Sequence, residues 1–226
     1  MSVSLLIVGH GRMGHVVETL APEYGFEVAG IVDLAEAAQA DAWPEAEVAI
    51  DFSLADAVPA NLPRLAGQGT SVVIGTTGWQ AAEETMRDVV AGSDIGVVAA
   101  PNFSIGVNLF IALVERAGEL WRDHPEFGAW LHELHHSAKK DAPSGTALAL
   151  ETAMRGQGYS GRIDIASSRA GTIPGTHTIG FDALGETITL THTARDRAIF
   201  ARGALEAAHW VRGRRGWFTM RDVLGL

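Results

Sequence analysis

V-S-L-L-I-V-G-H-G-R-M-G, residues 3–14, decides how this chain folds. Val3–Val8 is a short apolar run with the composition of a strand buried on both faces. Gly9-His10-Gly11-Arg12-Met13-Gly14 follows at once, and Val16–Leu20 has the apolar spacing of a helix. Strand, glycine turn and helix in that order bind a dinucleotide. Gly9 permits the tight turn, Gly11 lets a pyrophosphate reach the backbone, and Gly14 lets helix and strand pack closely. Arg12 and Met13 belong to the same turn. A second strand, Phe26–Val32, ends at Asp33, 19 residues after Gly14. An acid at that place binds the adenosine ribose hydroxyls. A carboxylate there repels a 2′-phosphate, and the next residue is Leu34, not an arginine. The expected cofactor is therefore NADH in preference to NADPH, with Arg12 the nearby cation open to a 2′-phosphate.

The same rhythm runs on from there. Val48–Phe52 reads as a third strand, Ala55–Ala66 as a helix interrupted by Pro59 and Pro63, and Ser71–Ile74 as a fourth strand closing on Gly75-Thr76-Thr77-Gly78. Ala81–Val90 reads as a helix and Ile95–Ala100 as a fifth strand, which ends at Pro101-Asn102-Phe103-Ser104. Repeated βα units predict a parallel, doubly wound sheet, and ligands of such sheets sit at the carboxyl ends of the strands. The strand-end residues Gly75, Thr76, Thr77, Ala99, Asn102 and Phe103 are thus expected on the nicotinamide side of the cofactor.

Beyond Ser104 the rhythm changes. Ile105–Trp121 has helical spacing. Trp130–His136 reads as a strand and Ala147–Arg155 as a helix. Arg162–Ser167, His177–Phe181 and Glu186–Thr193 read as strands of alternating polarity. Ala198–Val211 reads as a long helix and Trp217–Val223 as a short terminal strand that returns to the first sheet. The expected fold class is α/β: a Rossmann-type parallel sheet domain plus a smaller α+β domain with a mixed, mostly antiparallel sheet. Residues 1–104 and 199–226 form the first domain, and 105–198 the second.

The chemistry concentrates in E-L-H-H-S-A-K-K-D-A-P-S-G-T-A-L, residues 133–148. A histidine pair or a lysine pair by itself is usually surface decoration. Here His135, His136, Lys139 and Lys140 lead straight into the start of a helix. Ser144 is placed as its N-cap after Pro143. Gly145 and Thr146 then offer bare amides at the positive end of the helix dipole, a place for a carboxylate or phosphate. Cationic proton donors beside such amides point to a small anionic substrate that is protonated during reaction. The segment Gly171–His177 is equally a loop over a cleft or a plain turn, and His192, within an alternating strand, is expected to be packed rather than catalytic.

With 226 residues, 47% of them hydrophobic, the chain has ample material for a core. Its net charge of −10 argues against nucleic acid and against an anionic membrane surface, so an anionic ligand must be met by local cations. It has no cysteine, which removes disulfides, thiolate catalysis and cysteine-ligated metal. No metal centre is expected. The amino terminus lacks a basic leader, and no apolar stretch reaches membrane-spanning length. A soluble, cytoplasmic protein is expected.

The residues resemble the 4-hydroxy-tetrahydrodipicolinate reductase (dihydrodipicolinate reductase) family of lysine and diaminopimelate biosynthesis. Residues 133–148 carry the most specific likeness. Gly11–Gly14 (G-R-M-G), Val73–Gly78 (V-I-G-T-T-G), Ala100–Asn108 (A-P-N-F-S-I-G-V-N) and Met220–Leu224 (M-R-D-V-L) support it in order along nearly the whole chain. The resemblance implies that His135 is the catalytic histidine and Lys139 the proton donor. It implies that His136, Lys139, Ser144, Gly145 and Thr146 hold a dicarboxylate substrate. It places Gly9, Arg12, Met13, Asp33, Gly75, Thr77, Ala99, Asn102 and Phe103 on cofactor-contacting segments. It further implies a homotetramer and the use of NADH or NADPH. The glycine turn is one residue shorter than is usual in the family, the segment 33–49 is compact, and Asp51–Leu54 lacks a basic residue found in some relatives.

The implied reaction is hydride transfer to C4 of the cyclic imine acid, or of its hydrated precursor after water is lost, with a proton delivered by Lys139 and His135 assisting. Two other functions fit the domain plan. An aspartate-type amino-acid dehydrogenase would share the glycine turn but has no need of the His135/Lys139 cluster. A non-catalytic dinucleotide sensor would have no use for the pair at all.

Overall fold

A computed structural model describes residues 2–33 and 43–226; Leu34, on which part of the cofactor expectation rests, lies outside the described residues. The chain divides into two compact units, Met1–Ile105 with Ala198–Leu226, and Gly106–Arg197.

In the first unit β1 (Val3–Val8), β2 (Phe26–Val32), β3 (Val48–Asp51), β4 (Ser71–Ile74), β5 (Gly96–Ala99) and β10 (Gly216–Phe218) pair in parallel, in the order β10-β5-β4-β3-β1-β2. Burial on both faces explains why β1 is apolar from Leu5 to Val8. Leu5 and Ile7 enter one core and Leu6 and Val8 the other, and all four side chains are buried. Each contributes about 1.5–3 kcal/mol by leaving water. The first core is covered by α1 (Arg12–Leu20) and α6 (Ala198–Val211). The second is covered by α2 (Val58–Gly67), through Val58, Leu62 and Leu65 at helical spacing, and by α3 (Glu83–Ala91), through Met86 and Val90. Helix α6 is rich in alanine and glycine because it lies against backbone. A Cβ on Gly203 would stand 1.7 Å from the Phe103 carbonyl oxygen.

In the second unit β6 (Gly128–His135) lies between β7 (Ile163–Arg169), parallel to it, and β8 (Thr176–Ala183), antiparallel; β9 (Glu186–Thr193) extends β8 antiparallel. The sheet is mixed and mostly antiparallel, as its alternating sequence predicts. One face packs on α4 (Ile105–Trp121), through Phe110, Val114 and Ala117, and on α5 (Gly145–Gly156), through Ala147, Leu150 and Met154.

Two expectations are corrected. Trp217–Val223 is not one strand: β10 stops at Phe218 and α7 (Met220–Leu224) follows, opened by a capping box between Thr219 and Asp222. Ala55–Ala66 is not one helix: a 3₁₀ turn at Ala55–Ala57 precedes α2, whose first turn takes Pro59 because no helical partner is missing there.

Candidate active site

The first unit carries a cavity of about 310 Å³ at the ends of β1, β2 and β3, lined among others by Gly9, His10, Gly11, Asp33, Ser53 and Asn61. Gly9 has φ +88°, and a Cβ there would lie 2.6 Å from Ser53 Cα. Both facts demand glycine. Gly14 is just as constrained, since its Cβ would lie 2.2 Å from the Gly9 carbonyl oxygen. Gly11 is different: a Cβ would meet nothing within 4 Å, so no packing of the protein requires glycine there. Gly11 is also the N-cap of α1 and makes no side-chain cap hydrogen bond. An open glycine at an uncapped helix start, with a carboxylate at the far side of the same cavity, fits a dinucleotide. Arg12 is exposed and Met13 half-buried.

Below the cavity Asp51 is buried at the end of β3. Its carboxylate accepts from Ser53 N at 2.9 Å, Ser53 Oγ at 2.6 Å, Asn61 Nδ2 at 2.9 Å and Thr76 Oγ1 at 3.0 Å. The hydroxyl of Thr76 is thus committed to Asp51. Gly75 is a packing glycine, its absent Cβ replaced by the Phe52 ring 2.1 Å away. Thr77 is exposed. Thr76 and Ala99 line a second hollow, with Trp79, Arg87 and Trp217. Phe103 is buried in the core, and Asn102 Oδ1 accepts from Ser104 N at 2.9 Å. The structure brings Gly9, Gly11 and Asp33 to one cavity, and leaves Gly75, Thr76, Thr77, Ala99, Asn102 and Phe103 outside its lining.

In the second unit strand alternation puts Ala129, Leu131, Glu133 and His135 on the buried face of β6. Glu133 is fully buried. Its carboxylate takes both arms of Arg169, at 2.9 and 2.7 Å, the Ser144 amide at 3.2 Å and a hydrogen bond from His135 Nδ1. Burial pushes the Glu133 carboxyl up, but the Arg169, Ser167 and His135 hydrogen bonds outweigh it and hold the pKa at about 2. Burial lowers the pKa of His135, against the pull of Glu133. His177, on β8, is also buried; burial first and then the charge of His135 bring it to about 4. Its Nε2 lies 3.0 Å from Ser144 Oγ, which also accepts the Ala147 amide at 3.2 Å. Ser144 is therefore the N-cap of α5. Lys139 Nζ is 2.8 Å from the carboxylate of Asp141. Lys139 first, with a smaller pull from the Gly145 amide, draws the Asp141 pKa down. Gly145 is exposed, while His136 and Thr146 are half-buried.

One donor set has metal-ligand spacing: Glu133, His135 and His177 offer atoms within 4.8 Å of one another. Both Glu133 oxygens already accept from Arg169, however, so a cation there would have to displace a guanidinium. The arrangement is a hydrogen-bond network.

Comparison with known proteins identifies the family. Residues 3–103 match the N-terminal region of dihydrodipicolinate reductase and residues 106–224 its C-terminal region. This chain belongs to the dihydrodipicolinate reductase family. It is 42% identical to 4-hydroxy-tetrahydrodipicolinate reductase of Acidiphilium cryptum, over 96% of this chain and 94% of that protein. It is 38% identical to the enzyme of the same name from Thiobacillus denitrificans, over the whole of both. The dipicolinate-bound dihydrodipicolinate reductase of Paenisporosarcina sp. TG-14 superposes with a TM-score of 0.76 at 21% identity, over 97% of this chain and 98% of that one. An aspartate dehydrogenase of Thermotoga maritima shares the fold, with a TM-score of 0.52 at 10% identity. As a dihydrodipicolinate reductase family member the chain is an NAD(P)H-dependent oxidoreductase, and its cofactor is a pyridine nucleotide. Among the described residues no helix is long and apolar enough to cross a membrane.

Three polar groups of this cluster carry no role in the sequence-based expectations: Glu133, Arg169 and His177. Glu133 is two residues before His135, and in a strand that spacing means the same face. Arg169 stands beside His135, and His177 beside Glu133, only through strand register.

Proposed function

We propose that this chain reduces 4-hydroxy-tetrahydrodipicolinate to tetrahydrodipicolinate in lysine and diaminopimelate biosynthesis, with NADH preferred over NADPH. When bound, the reduced nicotinamide supplies the hydride. Gly9, Gly11, Arg12, Met13 and Gly14 hold the pyrophosphate, and Asp33 takes the adenosine ribose and disfavours a 2′-phosphate. The first unit is the dinucleotide-binding domain, and the second binds substrate and forms the tetramer of a cytoplasmic enzyme.

One observation carries the substrate assignment. Lys139 and the Gly145 amide already converge on a carboxylate, that of Asp141. A dicarboxylic acid brings the same group, and its carboxylates are bound by Lys139, His136 and the start of α5 at Ser144, Gly145 and Thr146. Lys139 gives up the proton that balances the hydride. His135 stands by as its partner. The groups that meet developing charge supply most of the rate.

The test is kinetic. With NADH and freshly prepared dihydrodipicolinate precursor, His135→Ala and Lys139→Ala each lower kcat by about 10²-fold or more while NADH affinity stays near wild type. Full turnover in both variants would remove the assignment. The ratio of kcat/KM for NADH and NADPH measures the cofactor preference directly.

A further inference from the structure

We infer that Glu133, clamped by Arg169, is the positioning residue of this site: it fixes His135 as the Nδ1–H tautomer and presents the Nε2 lone pair as a hydrogen-bond acceptor. The inference rests on His135 being catalytic, as proposed above.

Hydrogen-bond bookkeeping forces the tautomer. Oε1 of Glu133 accepts from Ser144 N and Arg169 Nη2, and Oε2 accepts from Arg169 Nη1. His135 Nδ1 faces Oε2. The bidentate guanidinium keeps the carboxylate ionised, and an ionised carboxylate only accepts. The ring nitrogen facing it must therefore carry a hydrogen. A neutral imidazole carries one hydrogen, which leaves Nε2 with its lone pair.

The surroundings of Nε2 agree. Gly175 lies on that side with φ +151°, and a Cβ there would lie 3.0 Å from Nε2. The site spends a glycine on keeping that nitrogen clear. The charged and titratable groups around the ring are Glu133 on β6, Arg169 on β7, His177 on β8 and Lys139 in the loop after β6. Burial, Lys139 and Arg169 all disfavour the imidazolium and Glu133 favours it; burial is the largest influence and the ring's pKa is lowered. At neutral pH His135 is then an acceptor beside Lys139, so it orients the donor rather than acting as the acid. A buried carboxylate behind a histidine has the same orienting effect wherever tautomer matters.

The experiment reads the tautomer directly. In histidine-¹⁵N-labelled protein, the His135 signals are assigned by their loss in His135→Asn. The wild-type enzyme shows a protonated Nδ1 and a bare Nε2 at neutral pH. A bare Nδ1 overturns the inference, whatever the variants do. Glu133→Gln loses the fixed tautomer and lowers kcat by about 10²-fold, with NADH affinity unchanged. It also moves the acidic limb of the kcat/KM profile to lower pH, because the one group favouring the imidazolium is gone. Arg169→Lys, which keeps a charge but not the fork, weakens the clamp and gives a mixed tautomer. If Glu133→Gln folds and keeps both the tautomer and the limb, Glu133 is structural only. Should His135→Asn retain turnover while the wild-type tautomer is as stated, it is the catalytic assignment of His135 that fails, and not the geometry.

Discussion

His177 Nε2 stands 3.0 Å from Ser144 Oγ, so the residue that caps α5 is also the partner of a buried histidine on the neighbouring strand. The other ring nitrogen of His177, Nδ1, has no hydrogen-bond partner. Removing the serine hydroxyl therefore strips the ring of its contact as well as uncapping the helix. Losing the cap costs about 1 kcal/mol. An unsatisfied buried nitrogen adds about 1–3 kcal/mol. Ser144→Ala is expected to destabilise the second unit by about 2–4 kcal/mol in urea unfolding, and Ser144→Thr by less, since it keeps the hydroxyl. A loss no larger than a cap alone means that the two roles are not coupled.

The same histidine sets an acid limit on stability. Its folded pKa of about 4 lies below the value of about 6.5 for an unfolded chain. A proton taken up by the unfolded chain is refused by the folded one. Stability contributed by neutral His177 is thus complete above about pH 6.5 and is lost as pH falls toward 4, on the order of 3 kcal/mol in all. Glu133 continues the trend from its ordinary range near 4.5 down to its folded value of about 2, because its depressed pKa stabilises only the ionised form. Urea titrations at a series of pH values, read from amide NMR signals of the second unit, should show this continuous decline. His177→Gln shrinks the upper window, in which the lowered pKa values of His135 and His192 also act, and leaves the lower one. A wild-type protein with flat stability between pH 6.5 and 4 contradicts it.

Much of the fold is legible in the sequence because burial on two faces writes itself as a run. Val3–Val8 and Ser71–Ile74 are read to the residue, and so is Ile105–Trp121, through the helical spacing of its apolar residues. Where local chemistry competes with that pattern, the sequence is misread. The apolar residues of Trp217–Val223 look like a strand, yet Thr219 with Asp222 three residues on is a helix start. The cluster 133–148 is visible as a motif because its residues are neighbours in the chain. Arg169 and His177 are not visible, because only the pairing of β6 with β7 and β8 brings them to His135. Register depends on which side chains share the core, and one sequence does not state it.

If Lys139 binds substrate as proposed, Asp141 competes for it. Its carboxylate lies 2.8 Å from the ammonium and also takes the Gly145 amide, the two groups assigned to a substrate carboxylate. Asp141 is more than half exposed, so the contact contributes at most about 1 kcal/mol after screening. Asp141→Asn is accordingly expected to tighten binding of a dicarboxylate and lower the substrate KM, by no more than about fivefold. The effect shrinks at high salt. Calorimetric titration of dipicolinate into both proteins at two ionic strengths checks it. Weaker binding by the variant would mean that Asp141 helps to build the carboxylate site instead of occupying it.

Gly9 and Gly11 separate folding from cofactor binding within a single turn. At Gly9 the backbone sits at φ +88°, and an added Cβ would lie 2.6 Å from Ser53 Cα and 2.7 Å from the Phe52 carbonyl. Backbone cannot yield as a side-chain tip can, so Gly9→Ala should destabilise the first unit by several kcal/mol and lose nucleotide as a secondary consequence. Gly11 has φ −75° and ψ −162°, a conformation open to alanine, and nothing lies within 4 Å of its missing Cβ. Folding therefore gives no reason for glycine at that position, whereas a pyrophosphate lying against the backbone does. Gly11→Ala should keep wild-type thermal stability without ligand, yet bind NADH about tenfold or more weakly and lose most of the thermal shift that NADH gives the parent protein. The comparison needs only calorimetry and a nucleotide titration. If Gly11→Ala binds NADH like the parent, the pyrophosphate does not cross this turn, and the cavity that ends at Asp33 must take the cofactor in some other pose.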